Sequence, residues 1–186
     1  MIEPRIYRAA FLPALLALII AAFSLESRPA PLPQALAADV LFQGRTAAAS
    51  ATQIATSFPN RRPGSTGDRA LATQVAQTFS HSGFTTVIDR FNAGDGTPLV
   101  NVVARRAGAS RRQIVVLAAR DAGSAPDATG SAADTAALEE IAQVLQGTPS
   151  NKTITLASVD GASLGDLGVH RLLAKLPDRS RVEAVL

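Results

Sequence analysis

Two apolar runs in this chain close on a carboxylate: Ile114 to Ala119 leads through Arg120 to Asp121, and Ile154 to Val159 leads to Asp160. A short apolar run ending in an acid is the pattern of a buried parallel strand that presents a carboxylate at its C-terminal end. In open α/β sheets that end is where ligands bind. Carboxylates there can hold a cation, take a proton or accept hydrogen bonds from a ligand. Asp127 and Asp134 follow Asp121 in one Gly- and Ala-rich stretch, and three acids so spaced could gather a hard cation such as Ca²⁺ or Mg²⁺. Each also has a plainer role: strand-end solubiliser, turn residue and helix cap. Asp160, just before Gly161, reads as a turn-former or a hydrogen-bond partner of the neighbouring loop. Asp121, Asp134 and Asp160 are therefore the candidate residues of a binding cleft, and none is assigned as catalytic.

Other chemistries have less to work with. Cysteine is absent, which excludes disulfides, thiolate nucleophiles and Cys-based zinc sites. Only two histidines occur: His81 at a helix end, where a cation suits the dipole, and His170 within an amphipathic helix. Ser131 lacks the Gly-x-Ser-x-Gly elbow of a serine hydrolase. The glycine-rich stretch from Gly161 to Gly168 has no Lys-Ser/Thr pair to make a phosphate loop. The net charge of +3 comes from arginines scattered in pairs, with few aromatics to stack on bases, so no nucleic-acid partner is expected.

The positioning elements follow from periodicity. Helical spacing runs from Thr46 to Phe58 and stops at Pro59. A second helix, about Asp68 to Ser80, carries Leu71, Val75 and Phe79 on one stripe, with Ser65 or Thr66 to cap it and Gly83 to end it. Thr85–Phe91 and Leu99–Arg105 read as strands around a Gly94–Gly96 turn. Gln113–Ala119 is a third strand, and Asp134 is placed as the start of a helix from Thr135 to Leu145. Thr153–Val159, a helix Leu164–Leu176 and a strand beginning near Arg181 complete the order. Alternating strands and helices predict an α/β fold: a three-layer sandwich with a mixed, mostly parallel sheet flanked by helices.

The N-terminus carries an uncharged apolar stretch, Ala9 to Leu25, behind Arg5 and Arg8. Its length of about 17 residues lies at the lower limit of a membrane helix. The arginines would keep the N-terminus inside and the remainder outside. The expected organisation is an anchor or signal over 1–25, a Pro-rich linker over 26–45 and one α/β domain over 46–186. That places the protein in the cell membrane as a single-pass chain with its domain on the extracytoplasmic side. A cleaved signal peptide and a buried globular helix are the alternatives.

Five pieces in order carry a family resemblance: Arg62–Asp68 with Gly83-Phe84, Asn101–Ala104, Ile114–Asp121, Ala136–Leu145, and Val159–Gly161 continuing to Gly168. Together they resemble the zinc aminopeptidases of the M28 family. The resemblance implies a zinc-exopeptidase fold and a two-zinc centre built from imidazole and carboxylate ligands, with a carboxylate base. It places the first histidine ligand on Ala119, the bridging aspartate near Gly130 or Ser131, and the paired glutamates on Ala162 and Ser163. The remaining ligands would lie beyond Leu186. Asp121 matches the aspartate that orients the histidine, which is absent here. The expectation is thus a pseudoenzyme: a membrane-anchored, M28 peptidase-like domain with no metal and no cofactor, serving a binding or scaffolding role. Its partners would be the membrane, through the N-terminal helix, and a peptide or another membrane protein. Two alternatives stay open: an active metal-dependent aminopeptidase or hydrolase, and the N-terminal part of a longer membrane protein.

Overall fold

The computed structural model describes residues 11, 13–20, 42–123 and 127–186. The chain divides into two units, Met1–Leu36 and Ala37–Leu186. In the first, residues 13–20 are helical and exposed. No helix among the described residues is long and apolar enough to cross a membrane. Much of the expected Ala9–Leu25 span, and the linker up to residue 41, lies outside the described residues.

The second unit begins with α1 (Gly44–Ser57) and α2 (Thr66–His81). In α1, Ala47, Ala51, Ile54 and Ala55 recur at helical spacing and are buried, and the helix ends before Pro59 as the sequence requires. In α2, Ser65 is the cap, its hydroxyl accepting from the Asp68 amide at 3.1 Å. Leu71, Val75 and Phe79 form its buried stripe. Five strands follow: β1 (Thr85–Asn92), β2 (Pro98–Arg106), β3 (Gln113–Ala119), β4 (Thr153–Val159) and β5 (Val182–Val185). They lie in the order β1-β2-β4-β3-β5. β2 runs antiparallel to both β1 and β4, whereas β3 is parallel to β4 and β5. The sheet is mixed, with its parallel half at β4-β3-β5. β4 is buried along its whole length, which is why it reads as a continuous run rather than an alternation.

Helices cover both faces. α1, α2 and α3 (Ser131–Val144) pack on one side, enclosing a core that includes Leu71, Phe79, Val102, Leu138 and Leu156. α4 (Leu167–Lys175) covers the other side with Leu172, joined by Leu176, above Val115, Ala157 and Val159.

Two boundaries differ from the sequence reading by three residues or more. α3 starts at Ser131, a turn earlier than Thr135. Its first amides are capped by Asp127, whose carboxylate accepts from Gly130 N and Ser131 N, each at 2.9 Å. Asp134 is not the cap; it stands in the first turn, its own amide already bonded to Gly130 O at 3.0 Å. α4 starts at Leu167 rather than Leu164, because a short 3₁₀ turn over Ala162–Leu164 and a left-handed Asp166 (φ 58°) intervene.

Candidate functional site

At the C-terminal ends of β3 and β4 the chain gathers charge inside the protein rather than presenting it outward. Arg120 follows the last residue of β3 and is completely buried. Its Nε and Nη2 donate to the two carboxylate oxygens of Asp68 at 2.9 and 2.8 Å, a bidentate pair. Nη2 also donates to Val100 O at 2.6 Å, and Nη1 to Ser158 O and Oγ at 3.3 Å. One guanidinium therefore ties α2, β2 and β4 to the end of β3.

Asp160 completes this cluster. Its Oδ2 accepts from Val100 N at 2.9 Å and lies 3.6 Å from Arg120 Nη2, while its buried Oδ1 has no hydrogen-bond partner. Burial, reinforced by the neighbouring Asp68 charge, pushes the Asp160 carboxyl up to about 7, against the pull of Arg120 and the Val100 amide. The backbone here is fixed by Asn101, whose Oδ1 accepts from Asp160 N at 3.0 Å and whose Nδ2 donates to Gly168 O at 2.8 Å. Gly168 must be glycine: a Cβ would stand 2.2 Å from Asp160 O and 2.7 Å from Asn101 Oδ1.

Asp121 has separate partners. Its Oδ1 accepts from Ala162 N at 2.8 Å, and its Oδ2 from Ser163 N at 3.0 Å and Ser163 Oγ at 2.7 Å. The carboxylate thus pins the loop after β4 onto the end of β3. Asp134 is exposed on α3 and borders a shallow cavity with Leu117, Ala119, Ala137 and Ile141. The sheet brings Asp121 and Asp160 to adjoining strand ends, yet each carboxylate serves different partners, and Asp134 joins neither network.

Residues that the sequence reading passed over do much of the binding inside the domain. Arg61 is fully buried and donates to Phe58 O at 2.8 Å, Asp127 O at 3.0 Å and Ser131 Oγ at 3.3 Å. Burial lowers its affinity for the proton, with the Asp127 and Asp68 charges opposing. Glu139 and Glu140 are buried on α3; Glu139 accepts from Thr78 Oγ1 at 3.0 Å and Glu140 from Gln43 N at 3.0 Å. A signal for Arg120 did exist in the sequence. It directly follows the most apolar strand of the chain, and an arginine drawn inside beside such a strand needs a carboxylate partner.

The positions assigned to zinc ligands by the family resemblance do not fit the metal. Ala119, Gly130 and Ala162 have no donor side chain, and Ser163 spends its hydroxyl on Asp121. A Cβ added at Gly130 would stand 2.4 and 2.5 Å from the Asp127 carboxylate oxygens, so a side chain there would have to displace Asp127 from Gly130 N and Ser131 N. Among the described residues no group of three His, Cys, Asp or Glu side chains lies close enough to hold a metal ion. His81 ends α2, and His170 is exposed on α4. A carboxyl titrating near neutrality has the proton affinity of a general base, but Asp160 is sealed from any substrate by complete burial.

No family model matches this sequence, and no curated protein matches it. Solved structures do. A glutaminyl cyclase from an Acidobacteriales bacterium superposes with a TM-score of 0.68 at 21% identity, over 86% of this chain and 61% of its own. The glutaminyl cyclase of Porphyromonas gingivalis gives 0.65 at 22% identity, over 80% and 59%. A zinc aminopeptidase from Bacillus subtilis gives 0.69 at 13% identity, over 78% and 69%. The likeness establishes the fold: this chain carries the M28-like, zinc-exopeptidase architecture. It spans about three fifths of the length of these glutaminyl cyclases.

Proposed function

We propose that this protein is a non-catalytic member of the zinc-exopeptidase architecture, a domain that binds or scaffolds a peptide or a membrane-protein segment. The observation that carries this reading is at the matched ligand position Gly130, which has no donor and where the Asp127 carboxylate caps α3 in the space a side chain would enter. The other ligand positions lack donors, and Asp121 and Asp160 are occupied in holding loops and strands together. A Zn²⁺ site needs several preformed imidazole or carboxylate donors, which alanine and glycine cannot supply. The apolar stretch Ala9–Leu25 behind two arginines supports attachment to the membrane, with the domain held on the extracytoplasmic side.

The test is metal content of the full chain after equilibration with Zn²⁺, Mn²⁺ or Ca²⁺, alongside assays for aminopeptidase and glutaminyl cyclase turnover. The expected result is a folded protein without stoichiometric metal and without turnover. Stoichiometric metal together with turnover would overturn the proposal.

A further inference from the structure

The face of the sheet that carries α4 is only partly covered. α4 lies over β2 and β4, and beside it a cavity of about 430 Å³ opens toward β1. That volume falls within the roughly 300–1,000 Å³ of small-molecule sites. Its walls are apolar: Val87 and Val103 from the sheet, Leu172 and Leu176 from the α4 segment. Val87 is 59% exposed on the edge strand β1.

The charges around this cavity are unbalanced. Asp89 is the one acid in its lining, and its carboxylate is shared by two cations, Arg171 at 3.0 Å and Lys175 at 2.7 Å. Arg105 also lines the cavity, is exposed, and has no ion-pair partner among the described residues. Two lining cations, Arg105 and Lys175, with Arg171 beside them, therefore stand against one carboxylate. On the floor, Thr155 is 2% exposed and its hydroxyl has no hydrogen-bond partner. Thr155 is the register partner of Arg105 across the β2–β4 pair, so the two polar groups are neighbours on the same face.

We infer that this cavity is a binding site for a small amphipathic carboxylate, a molecule with one anionic head and a short aliphatic body. The aliphatic part displaces water from Val87, Val103, Leu172 and Leu176. The carboxylate seats against Arg105, and movement of the Arg105 side chain on entry opens the Thr155 hydroxyl to the same anion. A cationic head meets surplus positive charge and a neutral head leaves Arg105 uncompensated, so head-group charge is the discriminating property. This site lies on the α4 face of the sheet and uses none of the residues on which the non-catalytic reading rests, so either can fail without the other.

Isothermal titration of the full chain with octanoate tests it, with octanol, octylamine and acetate as comparisons. The expected result is saturable octanoate binding, at least tenfold weaker binding of octanol and octylamine, and none of acetate. Arg105→Gln, an exposed position where folding is not at risk, should weaken octanoate at least tenfold and leave octanol unchanged. Val103→Phe, which fills the cavity and is checked for native far-UV circular dichroism, should abolish binding of both. Absence of saturable octanoate binding at millimolar concentration, equal affinity for the alcohol, or indifference to Arg105→Gln would each overturn the proposal.

Discussion

Replacing Arg120 by methionine probes the centre of the strand-end cluster, because methionine approximates the length of the side chain while removing its charge and all its donors. The wild-type guanidinium satisfies both oxygens of Asp68 and the carbonyls of Val100 and Ser158, all inside the protein. Removing one partner of a buried pair costs about 3–5 kcal/mol, since the other charge is left desolvated and alone. A domain of this size is stable by only about 5–15 kcal/mol. At roughly 2–4 °C per kcal/mol, the midpoint should fall by roughly 6–20 °C. Thermal unfolding followed by far-UV circular dichroism is the suitable assay, as the chain has no tryptophan. The double variant Arg120→Met with Asp68→Leu removes the stranded charge and should regain much of the loss. A single-variant cost below about 1 kcal/mol, or a double variant no more stable than the single one, would refute the account of Arg120 as the internal counter-charge.

The remaining predictions concern proton linkage, close packing and metal. The Asp160 carboxyl is raised from its ordinary value to about 7, so between about pH 4 and 7 the folded state binds more protons than the unfolded one. Stability from this group is therefore greatest at the acid end of that window and declines as pH rises to about 7; Glu139, also raised by burial, adds the same sign. Asp160→Asn should flatten the dependence of melting temperature between pH 5 and 8, and an unchanged slope would assign it to other groups. Gly168→Ala should cost about 1–3 kcal/mol by overpacking against Asp160 O and Asn101 Oδ1, read in the same melts. A chain carrying Ala119→His, Gly130→Asp, Ala162→Glu and Ser163→Glu should still take up no stoichiometric zinc in a dialysis assay, because the Asp127 carboxylate, held by Gly130 N and Ser131 N, crowds a side chain at position 130. Adding Asp127→Gly to that variant should raise its zinc uptake in the same assay, and no gain would clear Asp127 as the obstacle.

The strands and helices were legible because their periodicities are strong. Gln113–Ala119 and Thr153–Val159 match the observed strands residue for residue, and the mixed α/β class follows from their alternation with helices. The start of α3 was misplaced for a local reason. Asp134 has the composition of a cap, but an aspartate seven residues earlier reaches the free amides first, through a turn whose geometry no periodicity encodes. Asp121 and Asp160 were recognisable as strand-end acids, whereas their different uses were not.

The sequence by itself determined what this domain lacks and what it must bury. Alanine and glycine at the positions that the family resemblance matches to metal ligands carry no donor side chains, and β-branched and aliphatic runs must enter a core because water excludes them. Tertiary structure decided which charges meet. Asp68, Arg120 and Asp160 belong to separate segments of the sequence, and only the packing of α2 against the sheet makes them one buried cluster. It also decided that Asp127 fills the space beside Gly130, and that β1 and β2 leave an apolar cavity rimmed by unequal charge. Such facts depend on distances between residues far apart in the chain, and a carboxylate's proton affinity and partners are set by those distances rather than by its neighbours in sequence.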